Sequence, residues 1–356
     1  MKTIFCPWAG SLTVVTAVSL IAGSAVAHHS SAPHFDHDNP ITVDGVVTEL
    51  RFVNPHGYVY FDVTADDGSV QDWRCELSAA TALERRGWTR ESIQPGQRIE
   101  ITGSPARREE HVCFMSSFRL DGGPEYGRSA ELADGVIETG LAEASDLIRP
   151  AFLDSGQPNL TGPWITLSFG MGMSRGFRDP YVPSDAGLAA RDGYEMAFDD
   201  PILKCHVYNV INGWNHDRHI NDIYQSEDAV TLQYGFMDFV RTIHLDMSEH
   251  PDDIVPSVGG HSIGRWEDET LVVDTTGFEQ GILNHFDGTA YSDQTHLVER
   301  FHVNPDETVL VRDYTLVDPL FLAEPVNGQD FQALSSSPYE PYGCVELSGE
   351  NNVRPE

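Results

Sequence analysis

The stretch 57-GYVYFDVTADDGSVQDWRCEL-77 decides how the first half of the chain is read. β-branched and aromatic residues fill Tyr58–Thr64, Asp66-Asp67-Gly68 supplies a turn, and a second strand-like run follows, so this is a hairpin. On its N-terminal side ITVDGVVTELRFV (41–53) alternates apolar and polar residues, as a half-buried strand does. On its C-terminal side SAATALERRGWT (78–89) reads as a short helix opened by Ser78 and stopped near Gly87. Pro95-Gly96 then turns the chain into QRIEITGSPA (97–106), another strand. Strands, one helix in the middle, then more strands is the order of a five-stranded barrel of the OB type, over residues 28–120.

The next segment, 121–159, is rich in glycine and acid and reads as a linker, with a helix expected over Ser129–Ile148. From Leu160 to the end (160–356) the strand signals return. DIYQSEDAVTLQYGFMDFVRTIHLDM (222–247) holds two or three strands, HSIGRWEDETLVVDTTGF (261–278) is a hairpin around Glu267-Asp268-Glu269, and THLVERFHVNPDETVLVRDYTLVDP (295–319) repeats the form. So many hairpins predict a closed antiparallel β-barrel of the lipocalin type, large enough to hold one small ligand in its mouth. The protein is therefore expected to be mainly β, in two barrels.

Residues 1–27 carry the marks of a secretory signal: Lys2, an apolar run over Leu12–Ala22 and the small-residue site Ala25-Val26-Ala27. That run is too short to span a bilayer, and no later run approaches the ~18 apolar residues a membrane helix needs. The chain carries 55 acidic against 22 basic residues, a net charge of −33. Such an excess of carboxylates repels nucleic acid and anionic membrane surfaces, which excludes nucleic acid as a partner, and no membrane insertion is expected once the signal is removed. Cys75, Cys113, Cys205 and Cys344 lie beyond the signal, and an even number in an exported chain favours disulfides. Of the three pairings, Cys75–Cys113 with Cys205–Cys344 keeps each bridge inside one domain.

HHSSAPHFD (28–36), GVVTELRFVNPHGYVYFDV (45–63), RRGWTRESIQPGQRIEITGSPA (85–106), GHSIGRWEDETLVVDTTGF (260–278) and THLVERF (295–301) resemble a bacterial family of exported proteins. In that family a domain of unknown function opening His-His-Ser is joined to a C-terminal β domain. The resemblance implies architecture and export rather than a chemistry. Gly170–Gly176 and Val207–His219 match no pattern of the family.

Candidate chemistry gathers in three places. Cleavage after Ala27 would give His28 a free amine beside its imidazole, and with His56 these nitrogens would suit Cu(II). The plain alternative is a polar terminus, with His56 serving only the Asn-Pro turn. In the second barrel His244 and Asp246 share a strand face, as do His296 and Arg300, and His261 and Arg265. Charged groups in a barrel interior must pair, face water or act on a ligand, because unpaired burial costs several kcal/mol. His244, Asp246, His261 and His296 are therefore the candidate acid/base set, for an isomerase, lyase or hydrolase with no cofactor; the alternatives are that they only lock hairpins together, or that the protein is a non-catalytic module that holds a ligand or a partner protein. NVINGWNHDRHINDIYQ (209–225) reads as a mouth loop, so Trp214, His216, Arg218 and His219, with Tyr234 and Arg241, are the candidate ligand-binding residues for an apolar or aromatic small molecule. Gly260-His261-Ser262-Ile263-Gly264 fits the letters of a nucleophile elbow but lacks the strand–turn–helix context that motif needs.

Overall fold

The computed structural model describes residues 31–84, 86–128, 150–166, 177–216, 219–304 and 309–346. The signal segment, His28, the helix expected over Ser129–Ile148, Gly170–Gly176 and Arg218 lie outside the described residues.

The first barrel follows from alternation. Val43 and Val47 point inward from Ile41–Arg51, and Ile99 and Ile101 from Arg98–Pro105, while their neighbours face water. Among the described residues five strands close in the order Val70–Glu76, Tyr58–Thr64, Ile41–Arg51, Arg98–Pro105, Val112–Leu120, and the last pairs in parallel with the first. At that parallel seam Cys75 stands opposite Cys113, and the two are disulfide-bonded. Gly45 permits the tight crossing of strands: a Cβ there would stand 2.5 Å from the carbonyl oxygen of Asp62. The helix Ala80–Glu84 and the turn after it send Leu83 and Trp88 into the core.

Nine strands close the second barrel among the described residues. Around the wall they run Val309–Val317, His296–Val303, Thr270–Thr276, His261–Glu267, Val240–His244, Ala229–Gln233, Ile220–Gln225, Gly162–Thr166 and Val326–Leu334, which returns to the first. One seam is parallel, Val240–His244 against His261–Glu267, because residues 245–260 carry the chain back along the barrel instead of turning tightly. Leu232, Ile243, Leu271, Val273, Leu297 and Phe301 fill the interior.

That interior is packed, which corrects the expectation of a mouth loop at 209–225. The sequence VINGW there is a helix, Val210–Trp214, with Trp214 wholly buried. Asn209 caps its start by accepting from the Asn212 amide at 2.8 Å. A five-residue helix does not stand alone in water, and its last carbonyls have no partner within it. The barrel supplies them. Arg312 donates to Ile211 O at 2.9 Å, and Asn221 and Gln332 donate to Trp214 O at 2.8 and 2.9 Å.

Below this plug lies a layer of buried charge. Arg241 donates to Glu299 at 2.6 Å, to Thr275 at 2.7 Å and to Ser262 at 3.0 Å. Arg312 reaches Glu299 at 3.3 Å and pairs with Asp330. Burial opposes the charge on both arginines, but their carboxylates outweigh it and hold them charged well above the usual range.

Cys205 and Cys344 form the second disulfide. Both expected pairings are therefore present, as suits a chain that folds in an oxidising compartment. Among the described residues no helix is long and apolar enough to cross a membrane.

Candidate functional site

The parity that sends Arg241, Ile243, Ser262, Thr275 and Glu299 into the barrel sends their neighbours out. His244, His261, Asp274 and His296 therefore stand on the outer wall, on adjacent strands. The expected acid/base residues do come together, but outside the barrel. The register brings them there: Ile243 lies opposite Ser262, Ile263 opposite Asp274, and Asp274 opposite Val298.

Two members of the cluster were missing from the sequence-based set. His250, from the 245–260 connection, places its Nδ1 2.9 Å from Nδ1 of His261 and its Nε2 2.9 Å from Oδ1 of Asp274. His296 Nε2 stands 2.9 Å from the other oxygen of Asp274. The ring of His244 stacks on His261, 5.1 Å between centroids and 8° from parallel. Asp246 is the outlying member, 3.8 Å from His244 and half-exposed.

The tautomers follow from this order. An ionised Asp274 only accepts, so neutral His250 carries its proton on Nε2 and its lone pair on Nδ1. His261 must then donate from Nδ1, which leaves the lone pair on its Nε2. Burial works against the charge of Asp274, but the hydrogen bonds from His250 and His296 outweigh it and hold this carboxyl below the usual carboxylate range. Partial burial, with His250 and His244 as neighbouring potential cations, pushes His261 below the ordinary imidazole value.

Both shifts have the same sign for stability. A group whose folded pKa is lowered contributes stability above its unfolded value and loses it as pH falls through the folded one. Acidification below about 6.5 for His261, and later below about 3.8 for Asp274, therefore loosens the cluster.

The other expected residues take different places. Ser262 faces inward, 2% exposed, and serves Arg241 and Thr275, so the GHSIG letters do not make a nucleophile. Trp214, Tyr234 and Arg241, expected to bind ligand, are all buried in the barrel interior and hold the plug and the charge layer. His216 lies flat on Phe236 at 3.7 Å between centroids, and His219 packs edge-on against Tyr342 at 5.2 Å. These two join an aromatic cluster at one end of the barrel rather than an open mouth.

His56 is held by a buried partner, with Oε1 of Glu76 2.7 Å from its Nδ1. Burial lowers its pKa, but the charge and hydrogen bonding of Glu76 overcome this and leave it raised. A second buried pair, His285 with Asp200 at 2.8 Å, was not singled out by its spacing in sequence.

No curated protein matches the chain. Residues 16–113, which take in most of the first barrel, match a family of unknown function, DUF6152.

Proposed function

We propose that the outer-wall cluster is a general acid/base site acting on a small apolar or aromatic molecule, in a protein exported to the periplasm or beyond. What supports this is the proton order imposed by Asp274, which leaves His261 Nε2 as a neutral base at pH 7 with two further imidazoles beside it. Isomerase, lyase and hydrolase chemistry all begin from such a base.

The test uses p-nitrophenyl acetate as a probe of imidazole reactivity, with proton NMR titration of the histidines in parallel. The rate is expected to rise with pH through a midpoint below 6.5, matching the titration of His261. His261→Ala and Asp274→Asn should each lower it by roughly a hundredfold or more, the range of a lost general base. An unchanged rate in His261→Ala, or a midpoint at the ordinary imidazole value, defeats the reading.

A second reading, copper binding by His28 and His56, has one observation in its favour. A carboxylate on Nδ1 of His56 is the arrangement that orients an imidazole to bind metal through Nε2. Among the described residues no three His, Cys, Asp or Glu side chains are grouped to hold a metal ion, so this set is complete only with His28. A chain beginning at His28 is expected to take up one Cu(II) that a chain with one extra N-terminal residue does not, as read by electron paramagnetic resonance. Equal uptake by both chains removes His28 from the site.

A further inference from the structure

A cleft opens on the flank of the first barrel, far in sequence from the histidine cluster and independent of the reading given to it. It is a shallow cleft of about 340 Å³, counting space open to solvent. Val53 and Val345 give it apolar walls, Tyr58 and Tyr60 present their rings, and Arg51, His56, Arg74 and Glu346 supply its charge.

The cleft is built, not incidental. Its far wall is the C-terminal segment, tied down by the Cys205–Cys344 disulfide. Val345 N donates to Asn54 O at 2.7 Å, and Asn54 Nδ2 donates to Tyr342 O at 2.7 Å. Asp238 accepts from the Tyr342 and Gly343 amides at 2.7 and 3.1 Å.

The charges in it are unequal in availability. Arg74 is engaged by Glu109, and His56 by Glu76. The Arg51 side chain has neither an ion pair nor a hydrogen bond among the described residues. Among the described residues its charge is therefore open to a ligand. The surrounding field permits it: residues 31–128 hold ten of the 22 basic residues and only 16 of the 55 acids. An anion therefore meets the least repulsion on this barrel.

We propose that the cleft binds a small aromatic carboxylate, with the Arg51 guanidinium on the carboxylate and the ring between Tyr58, Tyr60 and the two valines. The planar guanidinium matches a carboxylate with two parallel hydrogen bonds, which a neutral amide does not reproduce; inorganic phosphate can meet the same fork but brings no ring to pack on the tyrosines. The tyrosine rings, 6.4 Å between centroids, offer a flat ring both faces and edges to pack on. Glu346, exposed at the rim, is the group that opposes such a ligand.

Calorimetric titration of the full chain with benzoate tests this, with benzamide and inorganic phosphate as competitors. One benzoate per chain is expected, with benzamide at least tenfold weaker and phosphate unable to displace it. Arg51→Gln should weaken benzoate by about tenfold or more, the equivalent of one charge-assisted hydrogen-bonded pair. Glu346→Gln, a surface change that leaves the fold intact, should tighten it severalfold. His261→Ala should leave benzoate affinity unchanged, which separates this site from the acid/base cluster. The proposal is overturned by any of four results: no saturable binding, equal affinity for benzamide, displacement by phosphate, or full affinity in a folded Arg51→Gln chain.

Discussion

Replacing Glu299 with glutamine is expected to destabilise the second barrel by about 3–5 kcal/mol, the usual cost of leaving one member of a buried ion pair alone. Glu299 is wholly buried and is the carboxylate shared by Arg241 and Arg312. Arg312 keeps Asp330 when Glu299 is neutralised. Among the described residues Arg241 then keeps only neutral neighbours, the hydroxyls of Ser262, Thr275 and Tyr234, which cannot balance its charge. Asp330 is a poor reserve, since burial pushes its own pKa up against the pull of Arg312.

Glutamine has nearly the shape of glutamate, so the loss reports charge and not volume. Adding Arg241→Met to Glu299→Gln should restore much of the stability, because a packed apolar side chain in place of a buried ion is often neutral or favourable. Urea unfolding followed by tryptophan fluorescence measures both as shifts of midpoint at constant slope. A single variant within about 1 kcal/mol of the parent, or a double variant no better than the single, would show that the layer is not held by charge balance.

Trp214→Ala should cost a similar ~3–5 kcal/mol, as removal of a fully buried large aromatic does. The indole meets Tyr234 at 5.0 Å and Phe301 at 6.1 Å, both edge-to-face, and its backbone carbonyl anchors the plug. Its Nε1 has no hydrogen-bond partner among the described residues. Trp214→Phe keeps the ring contacts and gives up no hydrogen bond, so it should cost only about 1–2 kcal/mol. The comparison is made by the same urea series. Equal losses in the two variants would mean that the indole N–H is paired, for example by a buried water, and that the plug depends on that bond.

Single segments take in the structure the form their sequence predicts where local chemistry is strong. Tyr58–Thr64 and Val70–Glu76 form the hairpin around Asp66-Asp67-Gly68, and His261–Glu267 pairs with Thr270–Thr276 around Asp268, which takes a left-handed φ of 52°. The helix plug reads as a loop in sequence because five residues carry too short a period to betray a helix. Its start signal was present, Asn209 three residues before Asn212, but its stability comes from Arg312, Asn221 and Gln332, which are remote in sequence. Strand parity relates His244 to Asp246, His261 to Arg265 and His296 to Arg300, but only the register of the closed sheet brings the three histidines together with His250 and Asp274. Asp274 sits on the hairpin strand with no local mark of its role, and His250 sits on an irregular connection.

The alternation of apolar residues, the turn residues and the cysteine count are local facts, and by themselves they determined a mainly β chain of two barrels with two disulfides. Which side of the wall each histidine faces was decided by tertiary structure alone. Strand parity says which residues share a face, but only closure of the sheet says which face is inside. Closure put Arg241, Ser262 and Glu299 in the buried interior, where they pair with one another. The same closure left His244, His261, Asp274 and His296 together at the outer surface, where protons can come and go.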